Sequence, residues 1–266
     1  KMNEDTTHFG YREVKTSEKA GLVGDGFRQV AEQYDVMNDL MSLGTHRVMK
    51  RVAVELVRAK EGQTVLDIAG GTGDLTALLK ERVGPTGQVI LLDINAEMVR
   101  VGRDRLLDQG HADTRFVIAD AEKLPIQPGS MDGITMAFGL RNVTDKPAAL
   151  AAMTQALKPG ARLVVLEFSK VTSKVAQPAY TFFQSLWPKV GKWVTGDGSP
   201  YQYLVESIDM HPDQETLADM MRDAGLTHVG FHNLLGGAAA IHFGEAPLHQ
   251  TESASESSQK GGKKGK

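Results

Sequence analysis

The residues best suited to chemistry form the run Asp67-Ile68-Ala69-Gly70-Gly71-Thr72-Gly73-Asp74, where a β-branched stretch gives way to helical spacing. Glycine there lets the backbone turn tightly and lets a ligand approach where a Cβ would block it. About 20 residues further on, Asp93 closes the next apolar stretch, where a carboxylate can accept both hydroxyls of a ribose. Asp120-Ala121 follows the third such stretch, where an adenine would lie. Two ligand classes use this layout, dinucleotides and S-adenosylmethionine. The dinucleotide fingerprint G-x-G-x-x-G calls for a third glycine, and counting from Gly71 and Gly73 that position is Thr76. Asp74 stands in the first helical turn, where its charge opposes a pyrophosphate. Asp67 suits the ammonium group of an amino acid. The pattern therefore favours S-adenosylmethionine, cradled by Gly70, Gly71, Thr72 and Gly73; the bland alternative is an ordinary strand-to-helix turn.

Such a loop needs a sheet behind it. Short apolar runs at Thr64–Leu66, Val89–Leu92, Phe116–Ile118, Ile134–Met136 and Leu163–Leu166 alternate with helical stretches. That alternation predicts a parallel sheet covered on both faces. One helix is expected after Asp145, with Leu150, Met153 and Leu157 on its buried face and Pro159-Gly160 as its stop; another runs from Asp213 to Gly225. Upstream, Phe27, Val30, Ala31 and Tyr34, then Val48, Val52 and Leu56, recur at helical spacing and predict two or three helices. The chain divides into an N-terminal helical lid (1–60), a main domain (61–244) and a disordered tail (245–266). Residues 171–206 hold both tryptophans and three of the five tyrosines, so they read as an aromatic cap inserted in the main domain: its own satellite core or a substrate channel.

Composition removes several classes. The chain has 266 residues, 41% apolar and 24% charged, with net charge −3. Lys260, Lys263, Lys264 and Lys266 outweigh Glu245, Glu252 and Glu256 by one charge, which leaves −4 on residues 1–244. A slightly acidic body lacks the basic stripe that nucleic acid requires. Cysteine is absent, which excludes disulfides, thiolate nucleophiles and Fe–S clusters. His228 and His232 have helical metal-pair spacing, but Val229 and Phe231 between them indicate a strand, where four residues span about 13 Å; no metal is expected. Neither a membrane-spanning run nor a secretory leader is visible, so the expected location is cytoplasmic.

The segments YDVMNDLMSLGTHRVMK (34–50), TVLDIAGGTGDLT (64–76), MAFGLRNVTDK (136–146), LKPGARLVVLEFSK (157–170) and YLVESIDMHPDQETL (203–217) resemble the ubiquinone/menaquinone biosynthesis C-methyltransferases of the UbiE type. The resemblance runs from about Thr6 to Gly244. It implies an α/β fold of the class I S-adenosylmethionine-dependent methyltransferases: a Rossmann-like, seven-stranded, mostly parallel sheet whose final strand is antiparallel. It implies methyl transfer to the ring carbon of a prenylated quinol, a methoxy-benzoquinol or demethylmenaquinol. Cofactor contacts of that family match Thr72, Asp93 and Asp120-Ala121. A further contact, usually a serine, falls on Ala137, and losing one hydroxyl partner is typically worth ~0.5–1.5 kcal/mol. Met49 replaces an aromatic residue, Ala161 a glycine, and Asp120 stands where many members carry Asn.

For that reaction Arg141 is expected to hold the developing phenolate, unless it forms a structural ion pair with Asp145 or Glu167. Asn142 is expected to orient the quinol or a water. Tyr34, Asp35 and Asn38 on the lid are candidates for quinol recognition. His211 could accept the phenolic proton or anchor its loop; His46 is equally ambiguous. A prenylated substrate also brings an expectation of peripheral contact with the inner membrane face, to which the Lys-rich end could contribute, or with a quinone-biosynthetic assembly. Competing readings are a methyltransferase for a sterol or phospholipid, an inactive cofactor-binding scaffold, and a nicotinamide dehydrogenase, the last disfavoured by Thr76 and Asp74.

Overall fold

A computed structural model describes residues 6–9, 12–15, 45–171 and 199–248. Tyr34, Asp35 and Asn38, most of the expected aromatic cap and nearly all of the Lys-rich tail lie outside the described residues. Strands β1 (Thr6–Phe9) and β2 (Arg12–Lys15) pair as an antiparallel hairpin. The body is built from α1 (Thr45–Val57), β3 (Thr64–Ile68), α2 (Asp74–Val83), β4 (Gln88–Asp93), α3 (Ala96–Asp108), β5 (Arg115–Ile118) and β6 (Met131–Ala137), followed by α4 (Lys146–Ala156) and β7 (Leu157–Phe168). It closes with α5 (Ser199–Met210), α6 (Gln214–Asp223), β8 (Thr227–Leu234) and β9 (Ala239–Glu245).

These strands form one sheet in the order β5-β4-β3-β6-β7-β9-β8. Neighbours from β5 to β7 are parallel, whereas β9 runs antiparallel to both β7 and β8. The seven-stranded, mostly parallel sheet with a reversed last strand is as expected, and each expected strand lies inside an observed one. From β3 the chain moves outward through β4 and β5, then returns to place β6 on the other side of β3. That reversal opens a crevice beyond the carboxyl ends of β3 and β6.

Two apolar layers cover the sheet. Leu66, Ile68, Ile134 and Met136 point to the layer of α4 and α6 with Leu150, Met153, Leu217 and Met221. Val65, Val89, Val164 and Leu166 face the layer of α1 and α2 with Met49, Ala53, Leu75 and Leu79. Helix α4 begins where Asp145 accepts from Ala148 N at 2.9 Å, and α6 where Asp213 accepts from Thr216 N at 2.8 Å. Leu157 is not on the α4 face: it already has extended backbone, and Pro159-Gly160 falls within β7.

Helix α1 departs from its expected orientation. Val48 and Val52 are 63% and 37% exposed, and the buried face is His46, Met49, Lys50, Ala53, Val54 and Val57. Two stripes share the helical period, and the buried one places Met49, Ala53, Val54 and Val57 in the core while Lys50 meets Asp74 on α2 at 3.0 Å. The far end of α1 is held by Arg162, which donates to the Leu56 carbonyl at 3.1 Å and to Glu245 at 2.6 Å. Placed by its sequence in a lid, α1 contributes instead to the core beneath the sheet. Among the described residues, no helix is long and apolar enough to cross a membrane.

Close approach of α3 fixes the glycine loop. A Cβ at Gly102 would lie 2.6 Å from the Gly71 carbonyl oxygen, and one at Gly73 would lie 2.9 Å from Leu106. Gly102→Ala therefore tests the packing: alanine gains about 1 kcal/mol of helix propensity, but the backbone clash costs about 1–3 kcal/mol. We expect a lower Tm and weakened ligand binding at the loop; a raised Tm would mean that the helix-to-loop contact is slack.

Candidate active site

The crevice at the β3/β6 reversal is lined by the Asp67–Thr72 turn, Asp74, the ends of β4 and β6, residues 119–122, Phe138, Gly139 and residues 142–144. At its floor lies Asp67, 1% exposed. Its Oδ2 accepts from Thr76 Oγ1 at 2.6 Å and its Oδ1 from Thr135 Oγ1 at 2.9 Å. Burial pushes the carboxyl up to about 6, against the lowering effect of the two hydroxyls and the Lys50 charge. Thr76, the residue that breaks the dinucleotide fingerprint, is thus the one that holds Asp67.

The turn above Asp67 is sharply bent. Gly71 and Gly73 have φ of 54° and 87°, and Ala69 holds 55° without being glycine. Phe138, one residue past β6, also holds 55°. Left-handed backbone at such residues costs of order 1–3 kcal/mol and persists where packing enforces it. Here the two corners meet: a Cβ on Gly139 would stand 2.4 Å from Ala69 Cβ. Gly70 is equally confined, its missing Cβ falling 2.6 Å from Leu91 Cγ. The glycines therefore serve packing within the protein as much as access for a ligand.

Asp93 ends β4 and turns back over the loop, accepting from Gly71 N at 3.0 Å and from Asn95 N at 2.9 Å. Burial raises its pKa despite these backbone donors. Backbone donors from Asn95, Gly71 and Ile94 act on its two oxygens, which leaves the carboxylate acceptor capacity for a ribose hydroxyl. Asp120 and Ala121 line the same crevice, with Asp120 Oδ1 capping the short turn Ala121–Lys123 through Glu122 N at 2.9 Å. Ala137 lines it too, where the expected hydroxyl is missing. Thr72 is buried along the wall.

At the β6 side, Asn142 lines the crevice and its Oδ1 accepts from Tyr203 Oη at 2.9 Å. Burial pushes the Tyr203 phenol up to about 12, so it stays protonated and donates. That bond leaves the Asn142 amide N–H groups as the available donors. Arg141 is placed differently from its expected role. Its guanidinium does not line the crevice; it pairs with Glu167 at 2.8 Å and donates to the Phe138 carbonyl. Both side chains are almost fully enclosed, and the Arg141 amide also donates to Glu167 at 3.2 Å. The structural ion pair is the arrangement observed, and it fixes the 138–142 turn. His211 is likewise not a crevice residue: it is 2% exposed, and burial lowers its pKa to about 3. A neutral, enclosed imidazole suits loop anchoring rather than proton transfer from a bound quinol. His228 and His232 both lie on β8, with His228 in left-handed backbone (φ 50°) at the irregularity between Thr227 and Gly230.

Three further residues were not anticipated. Thr135 reaches Asp67 through the sheet order and Tyr203 reaches Asn142 through the packing of α5, neither of which local patterning reveals. Lys50 lines the crevice from α1, and its position on the helical stripe of Met49, Ala53 and Val57 was a usable signal. It also alters the reading of Asp74, whose two oxygens meet Lys50 and Arg105 at 3.0 Å each. Burial alone would raise the Asp74 pKa, but these cations hold it below the usual carboxylate range. Asp74 is thus neutralised and does not by itself repel a pyrophosphate; Thr76 and the enclosed Asp67 carry that discrimination.

Residues 13–246 match the model of the ubiE/COQ5 methyltransferase family. The chain belongs to that family. It is 56% identical over 246 residues to the ubiquinone/menaquinone biosynthesis C-methyltransferase UbiE of Stutzerimonas stutzeri, covering 92% of this chain and 96% of that protein. The corresponding protein of Pseudomonas syringae pv. tomato is 55% identical over the same shares. Among solved structures, an S-adenosylmethionine-dependent methyltransferase from Aquifex aeolicus superposes with a TM-score of 0.57 at 21% identity, covering 81% of this chain and 96% of that one. The [4+2]-cyclase SpnF gives 0.62 at 14% identity over 85% and 96%. These structural likenesses carry the fold alone. The protein is an S-adenosylmethionine-dependent methyltransferase, and the enclosed carboxylates and tight cradle at the crevice fit that cofactor: Asp93 can take its ribose and Asp67 its ammonium.

An Asp67 carboxyl that meets the cofactor ammonium would make cofactor binding depend on pH. Between pH 5 and 7 the ammonium stays charged, whereas Asp67 ionises as pH rises through about 6. Cofactor affinity measured by calorimetry should strengthen with pH, approaching ~10-fold per unit below that value, and level off by pH 7. Asp67→Asn should bind more weakly with a flat profile. An unchanged slope in the variant would assign the dependence to another group.

Proposed function

We propose that this methyltransferase transfers a methyl group to a ring carbon of a prenylated quinol, demethylmenaquinol or a 2-methoxy-6-polyprenyl-1,4-benzoquinol, in menaquinone or ubiquinone biosynthesis. The observation that carries the reading is the Asn142 amide, locked by Tyr203 and facing the crevice that also holds the cofactor cradle. Similarity to the UbiE proteins along 92% of the chain supports the same substrate class.

A quinol ring carbon becomes nucleophilic once a neighbouring hydroxyl loses its proton, because the phenolate pushes electron density into the ring. Bound S-adenosylmethionine would supply the electrophilic methyl on a sulfonium, its S–CH3 bond breaking as the C–C bond forms so that S-adenosylhomocysteine leaves. The methylated carbon then gives up its hydrogen as a proton to restore the aromatic ring. The reactants carry opposite charges and the products are neutral, so water stabilises the starting state more than the transition state. A dry, aligned crevice is therefore the protein's contribution. Asn142 supplies donors for the phenolate oxygen. Arg141, paired with Glu167, positions the turn that carries Asn142. Phe138, which lines that side of the crevice, packs on Phe168 with ring centroids 4.7 Å apart and gives an apolar surface there. A prenylated substrate dissolves in membrane, so the reading includes peripheral contact with a bilayer.

Turnover of short-chain demethylmenaquinol and methoxy-benzoquinol, kept reduced, tests the proposal directly. Methylation of neither would overturn it. Asn142→Leu should lower kcat by ~10²-fold, the scale of one lost oxyanion donor, while binding of S-adenosylhomocysteine stays unchanged. Tyr203→Phe should lower kcat by ~10-fold, with no added loss in the Asn142→Leu background, because it acts through that amide.

A further inference from the structure

We propose that Lys50 is a carboxylate-binding group of the crevice, taking the methionyl carboxylate of the cofactor. The inference rests on the crevice being the S-adenosylmethionine site. The described ionisable residues lining it are Asp67, Asp74, Asp93, Asp120 and Glu122, with Lys50 as the one Lys or Arg among them. A cavity so rich in carboxylates suits the sulfonium and ammonium of the ligand, but the ligand also carries one anion. That anion needs a cation, and in this lining Lys50 is the group of that charge.

Lys50 is largely enclosed at the crevice, where Asp74, which it meets at 3.0 Å, is shared with Arg105 at the same distance. An enclosed ammonium is costly unless anions meet it, and a ligand carboxylate adds one. The trio also sits at the first turn of α2, whose N-terminal amides add partial positive charge. An ammonium has three donors, and Asp74 takes one of the three from Lys50. Lys50 further acts electrostatically on Asp67. Opposite charges thus flank one end of the crevice, matching the zwitterionic end of the ligand: Asp67 for the ammonium, Lys50 for the carboxylate.

Calorimetry with two ligands isolates this contact: S-adenosylhomocysteine, and its decarboxylated analogue, which keeps the amine, the thioether and the nucleoside. Wild-type protein should prefer S-adenosylhomocysteine by ~10- to 100-fold, the range for a hydrogen bond between charged groups. In Lys50→Met, whose apolar stem preserves the packing of α1, the preference should fall to within about twofold through loss of S-adenosylhomocysteine affinity alone. Equal binding of the two ligands by wild type would overturn the proposal without any variant. So would a Lys50→Met protein that keeps the preference, or one that loses both ligands equally. Binding of neither ligand by wild type would instead overturn the cofactor site itself, and the carboxylate contact with it.

Discussion

The site depends on a carboxylate held where water does not reach. Asp67 belongs to the central strand of the sheet, and its two oxygens are claimed by hydroxyls from α2 and β6. Those two bonds tie together the three elements that meet at the reversal of strand order. Leaving a buried carboxylate unpaired costs far more than the bonds themselves contribute. Thr76 and Thr135 are therefore as much a part of the crevice as the residues that line it, although each acts one layer below the surface.

Above that floor, the crevice is shaped by two chain reversals that touch. Ala69 and Phe138 each leave a strand in left-handed backbone, and the absence of a side chain at Gly139 lets the corners meet. On the other flank, Gly102 lets α3 approach the Gly71 carbonyl. Strain at two non-glycine residues is tolerated because packing from both sides leaves the turn no alternative. A cradle fixed in this way presents its amides and carboxylates without rearranging when ligand arrives, which lowers the cost of binding.

The electrostatics divide in two. Near the glycine turn, acidic groups dominate, and the raised pKa values of Asp67 and Asp93 show that burial works against their ionisation. A cationic ligand relieves that cost, so the same charge that burial penalises favours a sulfonium. Near the β6 turn, the Arg141–Glu167 pair is enclosed and self-compensated, and it serves to hold backbone rather than to meet substrate. Polar contact there passes to Asn142, whose amide is aimed by a phenol from α5.

Local physics made much of this legible in the sequence. Apolar runs marked five parallel strands, Asp145 and Asp213 marked helix starts, and the glycine turn with Asp93 placed a cofactor crevice at the ends of β3 and β4. Each of those signals lies within a few residues of what it describes. Tertiary structure decided the rest. Thr135 meets Asp67 across 68 positions through strand pairing, and Tyr203 meets Asn142 across 61 through the packing of α5 on the turn after β6, neither of which periodicity reveals. Two periodic stripes on α1 could have turned inward, and the one with Met49, Ala53, Val54 and Val57 joined the core while its Lys50 met Asp74. Arg141 and His211 have residue types suited to chemistry, yet burial made the one a brace and held the other neutral. Sequence specifies which groups are present and how each segment is shaped; which groups meet, and which are shut away from solvent, is settled when the sheet assembles.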